Sequence, residues 1–131
     1  MDEQLLAGSR ILVVEDEYFL ADDLDEALTQ AGAEVLGPMP SVGDATRFIA
    51  GEADIDAAVL DVNLHGEMVF PVADALRERG IPFAFATGYD ESALPQRFAN
   101  VPRIEKPFKS EQLAAVLGPM ITARPREADP A

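Results

Sequence analysis

The stretch RILVVEDEYFL, residues 10–20, leads four aliphatic residues directly into three acidic ones. Residues 11–14 have the composition of a strand that is buried on both faces. Glu15, Asp16 and Glu17 follow at once, and carboxylates this close together repel one another when they are ionised. A buried strand that ends in clustered acid therefore predicts a cation near its carboxyl end.

Short apolar runs of this kind alternate along the chain with longer segments of helical spacing. The runs that predict strands lie at 11–14, 33–37, 56–62, 81–87 and 101–105. The segments that predict helices are 18–31, one that begins after the capping residue Ser41, 67–79, 90–100 and one capped by Ser110. Pro95 interrupts 90–100, which predicts only a short helix there. Alternating strands and helices predict an α/β fold with a doubly wound, five-stranded parallel sheet between helix layers.

The composition excludes several classes of partner and site. The 131 residues suit one domain, and 24 acidic against 10 basic residues give a formal net charge of −14. This field repels phosphates, so we expect neither nucleic acid nor an anionic membrane surface as a partner. The absence of cysteine excludes disulfides and thiolate metal sites and fits a cytoplasmic protein, as does the lack of a signal-peptide pattern.

Polar side chains follow four of the predicted strands, at Glu15, Asp16, Asp61, Asn63, Thr87 and Lys106. Taken singly, each is equally well explained as a solvated surface residue. In a doubly wound parallel sheet, however, the carboxyl ends of the strands meet at one edge, where ligands bind. Three carboxylates gathered there need a counter-ion, and hard oxygen ligands favour Mg²⁺. The pattern predicts a magnesium site assisted by a lysine ammonium group.

Four motifs carry a family resemblance: VVEDE (13–17), VLDVNLHG (59–66), ATG (86–88) and EKPF (105–108). With these motifs in this order, the chain resembles the receiver domain of two-component response regulators, the module of the chemotaxis regulator. The resemblance implies a flavodoxin-like three-layer sandwich with strand order 2-1-3-4-5. It further implies a receiver domain at 9–121, preceded by a leader at 1–8 and followed by a flexible tail at 122–131.

The resemblance assigns the acidic residues to phosphoryl transfer. Asp61 is the expected phosphoacceptor, which attacks a phosphohistidine of a sensor histidine kinase; an ionised carboxylate needs no general base for this role. Asp16 and Asp61 are expected to bind Mg²⁺ directly, Glu15 largely through water, and Asn63 through its backbone carbonyl.

The resemblance also assigns the remaining strand-end residues. Thr87 is expected to hydrogen-bond a phosphoryl oxygen, and Lys106 to pair with another, aimed by a cis bond to Pro107. Arg103 stands where family members usually carry the aromatic switch residue, three positions before the lysine. Tyr89 is a candidate substitute for that switch, and simple packing of its ring is an equal alternative.

These expectations combine into a cytoplasmic, single-domain bacterial response regulator that assists its own phosphorylation and dephosphorylation but is not an enzyme. Its signal would pass by protein contact, through helix four, strand five and helix five, or by onward phosphotransfer. One alternative is a Mg²⁺-dependent phosphohydrolase with an aspartyl nucleophile, although residues 13–17 lack its D-x-D pattern. The other alternative is a receiver-like docking protein that acts without phosphorylation. Binding of FMN is disfavoured, because no Ser/Thr/Gly-rich phosphate loop follows the first strand.

Overall fold

The computed structural model describes residues 6–51, 54–64, 66–87, 94–105 and 108–123. The strands are β1 (Arg10–Val14), β2 (Glu34–Met39), β3 (Ala57–Asp61), β4 (Asn63–Leu64), β5 (Glu67–Met68), β6 (Phe83–Thr87) and β7 (Arg103–Glu105). The α-helices are α1 (Tyr18–Gln30), α2 (Val42–Gly51), α3 (Phe70–Glu78) and α4 (Ser110–Ala123). Among the described residues, no helix combines the length and apolar composition that a membrane span requires.

Five of these strands form one parallel sheet in the order β2-β1-β3-β6-β7. When the two-residue strands β4 and β5 are set aside, this is the expected order 2-1-3-4-5. The predicted fold class is confirmed. The antiparallel hairpin that β4 and β5 form directly after β3 was not predicted.

Two apolar cores cover the two faces of the sheet. Leu12 and Val14 pack into a core with α2 and α3, whereas Ile11 and Val13 pack into a core with α1 and α4. Successive side chains of a strand point to opposite faces, so a strand covered by helices on both sides must be apolar throughout. The aliphatic run at residues 11–14 is thus buried on both faces, as predicted.

The start of each helix reflects its local sequence. The Asp44 backbone N–H donates to the Ser41 hydroxyl at 3.1 Å, which confirms the predicted cap of α2. Pro71 lies in the first turn of α3, where its missing N–H costs nothing. Ser110 is the first residue of α4. The capping position is therefore the preceding residue, Lys109, and not Ser110 as predicted.

In the described part of 90–100, the predicted short helix is present as a 3₁₀ helix and not as an α-helix. Residues 94–100 contain one 3₁₀ turn, Gln96–Phe98, which follows Pro95; residues 90–93 lie outside the described ranges. Proline removes a backbone donor and favours an extended conformation before it, which disfavours an α-helix through Pro95. The buried ring of Phe98 instead anchors the segment, stacked on Phe70 at 5.6 Å between centroids.

Two observations concern the ends of the expected domain. Leu6, in the segment expected as a leader, is buried, and its backbone N–H donates to the Ala31 carbonyl at 2.9 Å. Helix α4 continues to Ala123. The domain limits themselves stay a prediction.

Candidate metal site at the carboxyl edge of the sheet

Three carboxylates meet where β1 and β3 end. Glu15, Asp16 and Asp61 each offer one carboxylate oxygen, and these oxygens lie within 4.8 Å of one another. The register explains the meeting: β1 and β3 are parallel neighbours with Val14 opposite Leu60, so the residues that follow on each strand reach the same edge. The structure thus brings together the three acidic residues that the sequence singled out.

Glu15 has the most unusual environment of the three. Its side chain is only 3% exposed, and its carboxylate accepts a hydrogen bond from the Glu17 backbone N–H at 3.1 Å. Burial, and after it the neighbouring charges of Asp61 and Asp16, together raise the pKa of Glu15 from 4.5 to about 8, although the hydrogen bond from the Glu17 N–H acts in the opposite direction. Glu15 therefore holds a proton at neutral pH and shares a hydrogen bond with Asp61.

The donor set fits a hard divalent cation. All three ligand atoms are carboxylate oxygens, and Asp16 and Asp61 are only partly buried, so water also reaches the cluster. Mg²⁺ prefers such oxygen ligands and retains several of its own waters. A cation would also offset the negative charges of Asp61 and Asp16, which add to the effect of burial in raising the pKa of Glu15.

A backbone irregularity in β2 supports this edge. Gly37 has φ +101°, and the pairing of β1 with β2 shifts register before Val14 meets Met39. The Met39 carbonyl then accepts a hydrogen bond from the Glu15 backbone N–H at 3.0 Å. The conformation of Gly37 thereby permits the register shift that brings the Met39 carbonyl to the Glu15 backbone N–H.

Asn63 lies in the hairpin just beyond Asp61. Its side-chain oxygen accepts a hydrogen bond from the Gly66 backbone N–H at 2.7 Å, and Gly66 has φ +85°. The role predicted for Asn63 as a metal ligand concerned its backbone carbonyl, and this side-chain contact was not predicted. The signal that could have revealed it is an asparagine three residues before a glycine, a combination typical of tight turns.

The other predicted residues are placed only in part. Thr87 ends β6 opposite Glu105, and Asp61 lies opposite Ala86, so the Thr87 backbone reaches the same edge as the acids. Arg103 is exposed at the start of β7. The Thr87 side chain and the residues Tyr89, Lys106 and Pro107 lie outside what the structure describes, and their expected roles stay predictions.

Comparison with known proteins places this architecture in a family. No protein-family model matches the chain. The solution structure of SdrG from Sphingomonas melonis Fr1 is 38% identical, with a TM-score of 0.77, and the match covers 86% of this chain and 96% of that one. A response regulator receiver protein from Sinorhizobium medicae WSM419 is 26% identical, with a TM-score of 0.71 and coverage of 92% and 99%. The chain belongs to the response regulator receiver family.

Two further similarities bear on the receiver's context. The transcriptional regulatory protein TcrA of Mycobacterium tuberculosis (strain H37Rv) is 35% identical over 121 residues, which are 86% of this chain. The chain spans 46%, about half, of the length of that curated relative. The receiver domain of the sensor histidine kinase PA1611 from Pseudomonas aeruginosa PAO1 shares the fold at 23% identity and a TM-score of 0.73, covering 89% of this chain and 100% of that one. Its crystal structure has a magnesium ion coordinated in the active site cleft.

Proposed function

We propose that this receiver accepts a phosphoryl group on Asp61 from the phosphohistidine of a sensor histidine kinase. The observation that carries the proposal is the position of Asp61, partly exposed at the end of β3 and within one cluster with Glu15 and Asp16. A nucleophile for phosphoryl transfer must face solvent to meet its donor and must stand beside a site that can neutralise the transferred charge.

The transfer is a single displacement at phosphorus. A carboxylate oxygen of Asp61 forms the new P–O bond while the P–N bond to the donor histidine breaks. The electron pair of the broken bond returns to the imidazole, which takes a proton from solvent, and Asp61 becomes an acyl phosphate. The chain contributes mostly position and charge to this step.

The cluster next to Asp61 supplies the metal ligands in this proposal. Asp16 and Asp61 would bind Mg²⁺ directly, Glu15 through water, and Asn63 through its backbone carbonyl. Bound magnesium neutralises the charge that develops on the phosphoryl oxygens. Glu15 enters the site by releasing the proton that its burial stabilises, so metal binding and ionisation of Glu15 are linked.

The remaining roles rest on the family resemblance and the placement of β6 and β7. Thr87 would donate a hydrogen bond to one phosphoryl oxygen and Lys106 would pair with another. With Arg103 in place of the usual aromatic, Thr87 would signal through Tyr89 instead. The phosphorylated receiver would act in the cytoplasm by contact with a downstream protein or by passing the group onward.

A small phosphodonor tests the proposal directly. Wild type, Asp61→Asn and Glu78→Gln are incubated with acetyl phosphate and Mg²⁺, and the intact mass of each is followed. Glu78 is exposed at the far end of α3, so its variant matches the loss of one acidic charge away from the site. We expect wild type and Glu78→Gln to gain one phosphoryl group that is stable in acid and lost in base, and Asp61→Asn to gain none.

Two results would contradict the proposal. An unmodified wild type, or an adduct that persists in Asp61→Asn, would remove Asp61 as the acceptor. Rapid, continuous release of inorganic phosphate would instead favour the phosphohydrolase.

A further inference from the structure

The hairpin after the phosphoacceptor is firmly anchored on one face. Val62, Leu64 and Val69 are buried in the core with α3, whereas Asn63 is exposed between them. The Val69 backbone N–H donates to the Val62 carbonyl at 2.9 Å, which closes the base of the hairpin. The two residues on either side of Asn63 are therefore fixed by apolar packing.

The pairing pattern determines where the Asn63 backbone carbonyl points. In an antiparallel pair, hydrogen-bonded and non-hydrogen-bonded positions alternate along the strands. Val62 and Val69 form a hydrogen-bonded position, so the next pair, Asn63 and Met68, is a non-hydrogen-bonded one. The Asn63 carbonyl is thus directed away from β5 and stays outside the hairpin ladder, two residues beyond Asp61.

The side chain of Asn63 restricts the rotation that sets this direction. Its amide oxygen is held by the Gly66 N–H at 2.7 Å, and the ring closed by that bond contains the Cα–C bond of Asn63. Rotation about this bond turns the Asn63 carbonyl. The positive φ of Gly66, +85°, is a conformation that glycine adopts without strain, and it presents the N–H to the amide.

We propose that Asn63 is a positioning residue whose side chain, latched to Gly66, holds its own backbone carbonyl in the direction needed for the metal site. This inference rests on the proposed function, because it assumes that the acidic cluster binds Mg²⁺. In this proposal the amide oxygen of Asn63 is engaged within the hairpin, and the side chain affects the metal through the backbone carbonyl that it positions.

Both ends of the latch can be broken separately. Asn63→Ala removes the acceptor, and Gly66→Ala strains the positive φ, although the added Cβ meets nothing within 4 Å. Asn63→Ser keeps an acceptor, and Ser41 in this same chain accepts a hydrogen bond from the N–H three residues later. Gly80→Ala is the matched control, because Gly80 has φ +71° and open space around it but follows α3 at the opposite edge of the sheet.

The measurement is the dissociation constant for Mg²⁺ by calorimetry, with the melting temperature of each metal-free variant alongside. We expect the dissociation constant to rise about five-fold in Asn63→Ala and in Gly66→Ala, the equivalent of one hydrogen bond. Gly80→Ala should bind Mg²⁺ as wild type does, even though it melts at a lower temperature. Asn63→Ser should recover most of the affinity that Asn63→Ala loses.

The outcomes separate this inference from the proposed function. If wild type binds Mg²⁺ and both latch variants bind it equally well while melting earlier, Asn63 is merely structural and the inference is overturned. An effect in Asn63→Ala without one in Gly66→Ala would assign the role to direct contact of the amide, which also overturns the latch. A wild type that binds no Mg²⁺ overturns the inference together with the proposed metal site.

Discussion

The two edges of the central sheet use acidic residues in opposite ways. At the amino edge, the Arg10 guanidinium pairs with Asp54 and Glu34 at 3.7 and 3.5 Å, and the Asp56 carboxylate accepts the Arg10 backbone N–H at 2.8 Å. At the carboxyl edge, Glu15 and its two acidic neighbours gather within 4.8 Å of one another. The first arrangement ties β1 to the starts of β2 and β3, whereas the second concentrates negative charge.

The difference separates structural acids from acids poised to bind. Next to an arginine a carboxylate has a cationic partner, and the strands gain a modest stabilisation. Next to other carboxylates and out of water, Glu15 has a pKa raised to about 8, which means that its ionised form destabilises the fold. Strain of this kind is common where a site awaits a ligand of opposite charge.

The largest effect should come from the backbone that supports the carboxyl edge. In Gly37→Ala the new Cβ would lie 2.8 Å from the Val13 carbonyl oxygen and from the Met39 nitrogen, at a φ that alanine avoids. We expect the free energy of unfolding to fall by about 3 kcal/mol, measured by urea denaturation. Gly80→Ala, which meets no close atom, should lose about 1 kcal/mol; equal losses would show that the close approach is unimportant.

A smaller effect, of opposite sign, should follow when the buried acid is neutralised. Because the pKa of Glu15 is raised, its contribution to stability is complete below pH 4.5 and is lost as the pH rises through about 8. Without metal, Glu15→Gln should therefore exceed wild type in stability by about 2 kcal/mol near pH 8, which is less than the full linkage because relaxation and water reduce the cost of burying the charge, and match it near pH 4.5. Thermal unfolding across this pH range checks the difference, and parallel curves for the two proteins would refute it.

The smallest effect should come from the amino edge. Arg10→Met removes ion pairs whose acidic partners are largely exposed, but the Asp56 carboxylate keeps the backbone N–H of residue 10. We expect a loss of about 0.5 kcal/mol that shrinks in high salt, since surface pairs are screened. A loss unchanged by salt would show instead that the stabilisation comes from the hydrogen bond of the Arg10 guanidinium to the Asp54 backbone carbonyl, 3.1 Å long.

Much of this contrast could be predicted from the sequence, and the physical reasons are specific. The aliphatic run at 11–14 predicted a buried strand. Because the carboxyl ends of parallel strands lie at one edge of a sheet, Glu15, Asp16 and Asp61 could be predicted to lie close together. Hydrophobic periodicity could not reveal β4 and β5, because each has two residues and so spans only one repeat of the alternating strand pattern.

Two further features depend on contacts distant in sequence. The 3₁₀ turn at 96–98 is held by Phe98 against Phe70 and by the Arg97 guanidinium, which pairs with Asp74 at 2.9 Å. The shift of register near Gly37 depends on the neighbouring strand β1. The local sequence around each feature does not contain the residues that contact it, so neither the 3₁₀ turn nor the register shift could be predicted from the local pattern.

Magnesium titration of matched acid variants tests the central claim most directly. Wild type, Asp16→Asn at the carboxyl edge and Asp54→Asn at the amino edge are titrated with MgCl₂ in a calorimeter near neutral pH. We expect one bound ion per chain for wild type and for Asp54→Asn. In Asp16→Asn the dissociation constant for Mg²⁺ should rise about ten-fold or more. Absence of magnesium binding by wild type, or equal binding by all three proteins, would contradict it.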